Sequence, residues 1–265
     1  MKELLEKKVV EVDGHRMLTR FSVEKSHYPG PAVIFIPGLA LSGRYMIPAA
    51  YHLSRALPVY IPDFPGLGES SKPQNILNLH ELAKAVFQWL SALKIKQAVI
   101  VGNSFGSQIA AELAVCHPEA VLAGVLTGPT VDPKRRTPYH QLLDLTLDYI
   151  QSPAKSYVIT GDILKCGLRR LFYYGFEALR DRIEDKLPAI QCPVLFLRGE
   201  RDPLARQLWL EEAASLVRDS EIAVMPGVGH TPNFDKGAEL VPYILNFLSE
   251  KNLIPLQPAH AAWAS

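Results

Sequence analysis

The chain has 265 residues, 48% of them hydrophobic, and a formal net charge of +1. That length and composition suit one large α/β domain with an insertion and a full core. The near-zero charge gives no bulk attraction for nucleic acid or for an anionic membrane, and no apolar run is long enough to span a bilayer.

Residues 1–8 carry no apolar leader pattern and no small-residue cleavage site, so the expectation is a soluble, cytoplasmic protein. Residues 9–12 and 17–21 flank Asp13-Gly14, a hairpin signal. Residues 32–36 are a continuous apolar run, as in a strand buried on both faces. Residues 37–43 read as a loop, 44–57 as a helix with Pro48 near its start, and 59–61 as a strand. The turn-rich stretch 62–71 contains Gly66-Leu67-Gly68. It lacks the third glycine of a dinucleotide loop and the lysine of a Walker loop, so no nucleotide cofactor is expected. In residues 79–93, Leu82, Val86, Trp89, Leu90 and Leu93 form the stripe of a core-facing helix, with Trp89 read as packing.

Residues 97–101 predict a strand and 107–116 a helix, separated by Gly102-Asn103-Ser104-Phe105-Gly106. A residue lifted clear of a strand end must turn sharply into the next helix. Glycines two before and two after it keep side chains out of that corner. The helix that follows aims its positive N-terminal end at Ser104, where it favours a developing oxyanion.

His117-Pro118 stops this helix, with His117 read as a helix-end residue set against the dipole. Residues 121–126 are the next strand. From 132 to 187 the patterns are helical and no strand interrupts them, which predicts an inserted cap over the elbow. Its Arg135, Arg136, Arg169 and Arg170 alternate with Asp132, Asp144, Asp148 and Asp162, which reads as a solvated charged face. Strand and helix alternation then resumes: strand 193–197, loop 198–203, helix 208–217, strand 221–225, loop 226–232 and helix 236–248. Residues 252–265 read as a surface tail. The expected architecture is a mostly parallel, doubly covered sheet: a core of 1–131 and 188–251, a cap of 132–187 and the tail. Cys116, Cys166 and Cys192 have no paired spacing. Cys116 and Cys192 read as small core residues, and the set points to a reducing compartment; no metal-ligand pattern is present.

Parallel sheets place ligands beyond the carboxyl ends of their strands, and Ser104, Asp202 and His230 each fall at such an end. A serine hydroxyl is a poor nucleophile near neutral pH and needs a base. His230 is the candidate to take its proton and return it to a leaving group, and Asp202 the candidate to fix the imidazole tautomer and stabilise its charge.

These motifs, with Ile36-Pro37-Gly38-Leu39-Ala40, the 63–70 stretch, Gly199-Glu200-Arg201-Asp202-Pro203 and Gly229-His230-Thr231-Pro232, resemble the α/β-hydrolase fold superfamily across residues 7–249. The resemblance implies an oxyanion hole of two backbone N–H groups, mapped to Phe105 and Leu39, with Ala40 as the second candidate in that loop. Many members carry His-Gly where this chain has Pro37-Gly38. A serine nucleophile implies acyl transfer to water on a small molecule without a cofactor, a small-to-medium carboxylic ester being the leading expectation. The elbow is also similar to that of meta-cleavage-product carbon–carbon hydrolases. Those usually carry Ser-Gly-x-Gly in the oxyanion loop and a tryptophan after the histidine, where this chain has Leu39-Ala40-Leu41-Ser42 and Thr231. A ligand-binding protein that keeps the fold is the third reading. Phe172, Tyr173, Tyr174 and Phe176 are candidates for an apolar acyl pocket or for packing within the cap. Ala40, Phe234 and Met46 are candidates to face the substrate.

Overall fold

The computed structural model describes residues 5–22, 30–151 and 156–255. Eight strands form one sheet in the order β1-β2-β4-β3-β5-β6-β7-β8. β1 (Leu5–Val12) and β2 (His15–Ser22) make an antiparallel hairpin. Asp13 and Gly14 between them have φ of 48° and 75°, the doubly positive turn that matches strand twist. β2 runs antiparallel to β4, and every later pairing is parallel.

β3 (Ala32–Ile36), β4 (Val59–Pro62), β5 (Ala98–Asn103), β6 (Val121–Thr127), β7 (Val194–Gly199) and β8 (Ser220–Met225) supply the rest. Their unbroken apolar runs feed two cores at once, because successive side chains point to opposite faces. Val33, Phe35, Val99 and Val101 pack with α1 (Ile47–Leu53) and α10 (Gly237–Glu250). Ile34, Ile36 and Ile100 pack with α2 (Leu79–Ala92), α3 (Phe105–Cys116) and α8 (Gln207–Ser215). Trp89 of α2 is fully buried and donates its indole N–H to Thr19 Oγ1 at 2.8 Å. Its loss would cost about 3–5 kcal/mol. Asn78 and Glu81 close a capping box at the start of α2.

Between β6 and β7 the chain forms α4 (Pro138–Gln151), α5 (Ser156–Cys166), α6 (Leu168–Arg180) and the short α7 (Ile183–Lys186). α9 (Pro232–Asp235) follows β8. No helix among the described residues is long and apolar enough to cross a membrane.

Four expectations are corrected. The helix expected over 44–57 is a 3-10 turn (Gly43–Met46) followed by the seven-residue α1. Pro48 lacks an N–H and sits in the first turn, and Pro58 disfavours helical backbone at Leu57. The segment after α10 does not begin as a surface tail. Asn252 (φ 57°) closes the helix, Leu253 N–H reaches back to Leu248 O, and Ile254 is buried against the core. Residues 256–265 lie outside the described residues. Cys116 is exposed rather than buried, on the α3 side that carries Glu112. The four carboxylates read as a solvated face, Asp132, Asp144, Asp148 and Asp162, are all buried, each with at least one oxygen bonded to a specific partner.

Candidate active site

β5 ends at Asn103, and the chain turns at Ser104 (φ 56°, ψ −122°) directly into α3. A positive φ on a residue with a Cβ stores roughly 1–3 kcal/mol of strain. Close packing enforces it. A Cβ at Gly102 would lie 2.4 Å from Gly106 O, and one at Gly106 would lie 2.4 Å from Ile36 O. Only glycine lets β3, β5 and α3 converge this tightly. β3 and β5 are adjacent, with β4 on the far side of β3, so Ser104 stands where the strand order reverses.

Asp202 follows β7 and His230 follows β8. Asp202 Oδ2 lies 2.8 Å from His230 Nδ1, and the two side chains are only 0% and 4% exposed. The other carboxylate oxygen accepts the N–H groups of Leu204 (2.8 Å) and Ala205 (3.0 Å). Both oxygens are thus held, which fixes the carboxylate against the ring. Gly128 (φ 54°) ends β6 against this pair, and a Cβ there would meet His230 Nδ1 at 2.8 Å.

Ser104 and His230 line one cavity of about 180 Å³. Leu39, Leu41, Phe105, Val131, Leu145, Ile159, Ile163, Leu171 and Leu204 give it an apolar wall, and no Lys or Arg among the described residues lines it. A larger depression of about 540 Å³ is open, charged and lined by Asn78, Glu112, Tyr173 and Lys186; it holds none of the three candidate residues.

The loop after β3 lies against the elbow: a Cβ at Gly38 would be 3.6 Å from Ser104 Cβ. Leu41 N–H bonds back to Gly38 O at 3.2 Å, so Leu39 and Ala40 form the tip of a turn. Leu39 and Phe105 both border the cavity. Phe105 is the first residue of α3, where a backbone N–H has no intrahelical acceptor. Ala40 takes the positive φ of the turn (58°) and packs its methyl into the core, so it does not line the cavity. Phe234 stacks on Tyr45 with ring centres 5.9 Å apart, one layer behind the wall. Met46 is fully buried. Of the four cap aromatics, none lines the cavity. Phe172 and Phe176 are about two-thirds exposed (67% and 68%), and Tyr174 packs on Phe105.

Three further residues join the site. Asn103 Nδ2 donates to Thr127 O (3.2 Å) and to His230 O (3.1 Å), and Oδ1 accepts from the Tyr45 hydroxyl (3.0 Å). Burial first, then the carboxylates of Asp148 and Asp235, hold the Tyr45 phenol well above its ordinary range, so it remains a donor. Asp148 Oδ1 accepts the His230 N–H. The only signal for Asn103 was its place inside the elbow; Tyr45 and Asp148 had none.

Among the described residues, His80, Glu112 and Cys116 form one group with metal-ligand chemistry, their donor atoms within 4.8 Å of one another. His80 Nδ1 lies 2.8 Å from Glu112 Oε1, and Lys186 Nζ lies 2.7 Å from Glu112 Oε2, so an ammonium already neutralises this carboxylate.

Residues 31–157 match the family model of the alpha/beta hydrolase fold. The chain has the α/β-hydrolase fold. The chain is 26% identical over 247 residues to polyketide synthase ThaQ of Burkholderia thailandensis, a match that covers 83% of this chain and 12% of the synthase. It is 26% identical over 267 residues to the poly(3-hydroxyalkanoate) depolymerase of Ectopseudomonas oleovorans, covering 92% of this chain and 93% of that protein. Among solved structures, a membrane phospholipase A described as a bacterial virulence factor superposes with a TM-score of 0.77 at 26% identity, covering 94% of this chain and 87% of that one.

Proposed function

We propose that this α/β-hydrolase cleaves a small-to-medium carboxylic ester through an acyl-enzyme on Ser104. The observation that carries the reading is that His230, fixed by Asp202, and the strained Ser104 line one apolar cavity. With Nδ1 facing Asp202, Nε2 is the ring atom that takes the Ser104 proton as the hydroxyl attacks the ester carbonyl. The imidazolium then protonates the departing alkoxide, and water repeats the sequence to release the acid. The N–H groups of Phe105 and Leu39 receive the oxyanion, and the positive end of α3 adds to their field. The cavity is smaller than the roughly 300–1,000 Å³ usual for drug-sized ligands, which favours a short or medium acyl group. The helices over the cavity act as its cap.

A carbon–carbon hydrolase of diketo acids needs a cation for the substrate carboxylate, and the lack of Lys or Arg on the described wall favours the ester. The test is single-turnover kinetics on a chain-length series of p-nitrophenyl esters with wild type and Ser104→Ala. A burst present in the first and absent in the second supports the acyl-enzyme. A folded wild-type protein without turnover on any chain length overturns it.

A further inference from the structure

Helix α4 is turned inside out. Its buried side chains are Asp144 and Asp148, four residues apart, while Tyr139, Leu142 and Ile150 are 68–72% exposed. The same holds, less completely, for its neighbours. Tyr157 and Leu164 of α5 are 81% and 77% exposed, and Leu168, Phe172 and Phe176 repeat every fourth residue along an exposed stripe of α6. Of the sixteen large apolar side chains exposed among the described residues, twelve lie between 139 and 176. Soluble surfaces rarely gather apolar area in this way unless something covers it.

Two observations identify the cover. First, charge is sorted by sign on these helices. Asp144, Asp148 and Asp162 are buried, and Glu177 accepts the Leu79 N–H, while Lys165, Arg169 and Arg180 are exposed. The net charge of the whole chain conceals this. Second, the apolar surface leads into the cavity: Leu145 is 48% exposed and also lines it. A second copy packed by two-fold symmetry would bring the same cations together. An anionic lipid surface offers acyl chains to the leucines and phosphates to the cations.

We propose that the exposed face of α4, α5 and α6 docks on an anionic phospholipid surface, so that the cavity mouth opens toward the lipid. The proposal rests on the ester reading only for what the docked cavity receives. The test is co-sedimentation of the full chain with vesicles of phosphatidylglycerol or of phosphatidylcholine. Wild type is expected to bind the first at least tenfold more tightly. Leu142→Ser, Leu164→Ser and Phe172→Ser combined, none of them cavity residues, should weaken binding by roughly tenfold or more with an unchanged melting temperature. Lys165→Gln and Arg169→Gln should each cost roughly fivefold on phosphatidylglycerol alone. No binding by wild type overturns the proposal, as does equal binding to both lipids. A dimer in sedimentation equilibrium that the triple serine variant abolishes, without vesicle binding, overturns it in favour of self-association. Binding is read without turnover: a chain that binds phosphatidylglycerol and cleaves no ester supports this surface and sinks the ester reading.

Discussion

Oδ1 of Asp148, on helix α4, accepts the backbone N–H of His230 at 3.0 Å. A helix inserted between two strands thereby holds the loop that presents the proposed base. Asp148→Ala leaves a buried N–H without this acceptor, at a cost of about 1–3 kcal/mol, and should lower both the melting temperature and kcat. Asp148→Asn keeps a carbonyl oxygen in place and should retain most of both. If the asparagine variant is as impaired as alanine, the charge and not the hydrogen bond is what the loop requires.

Ser104→Ala should reduce kcat by roughly 10⁴-fold or more while the chain stays folded. Ser104→Gly should be equally inactive but relieves the positive φ. Strain of roughly 1–3 kcal/mol is released against an entropic cost of roughly 0.5–1 kcal/mol. The glycine variant should therefore melt about 2–4 °C above the alanine variant. A glycine variant that melts below the alanine variant would show that the turn is unstrained, because only the entropic cost of glycine would then remain.

Gly128→Ala places a Cβ 2.8 Å from His230 Nδ1 and 3.0 Å from Asp202 Oδ2, on backbone with φ 54°. The pair must separate or rotate to admit it. Turnover should fall by about 10²-fold, with KM changed far less, because misplaced catalytic groups act on the chemical step. Steady-state kinetics beside a thermal melt separates this from general unfolding.

Burial pushes the Cys192 thiol up from near 9 to about 11. The folded state therefore holds this proton to higher pH than the unfolded chain. The contribution is fully present below about pH 9 and is lost as pH rises through 11. Cys192→Ala should flatten the alkaline limb of the stability curve between pH 9 and 11 and leave it unchanged at pH 7. Denaturant melts across that range decide it.

Much of the fold was legible because its signals are local. Apolar runs, glycines at fixed offsets and His117-Pro118 each speak for a few residues, and the parallel sheet follows from their alternation. Ser104, Asp202 and His230 stood out as candidates for the same reason: each sits at the end of a strand that the sequence marks. The structure brings Asp202 and His230 into contact. Asp148 was not legible. Leucines on α4 suggest an inward apolar face, and only the tertiary arrangement reveals that the carboxylates point in. Ala40 and Phe234 were misplaced because a turn conformation and a ring stack, neither visible in composition, direct them into the packing.

Each long helix over the cavity is tied to a different part of the candidate site by a polar link. α4 holds the histidine loop through Asp148. α5 holds the loop after β3, where Asp162 Oδ2 accepts from the N–H (2.9 Å) and hydroxyl (2.6 Å) of Ser42. α6 holds the elbow helix, whose Gln108 Nε2 donates to Ala178 O at 3.0 Å. Lifting the roof would therefore slacken the proposed base, anion site and nucleophile together. Enclosure and competence become one state, and a substrate seated halfway meets an unassembled enzyme.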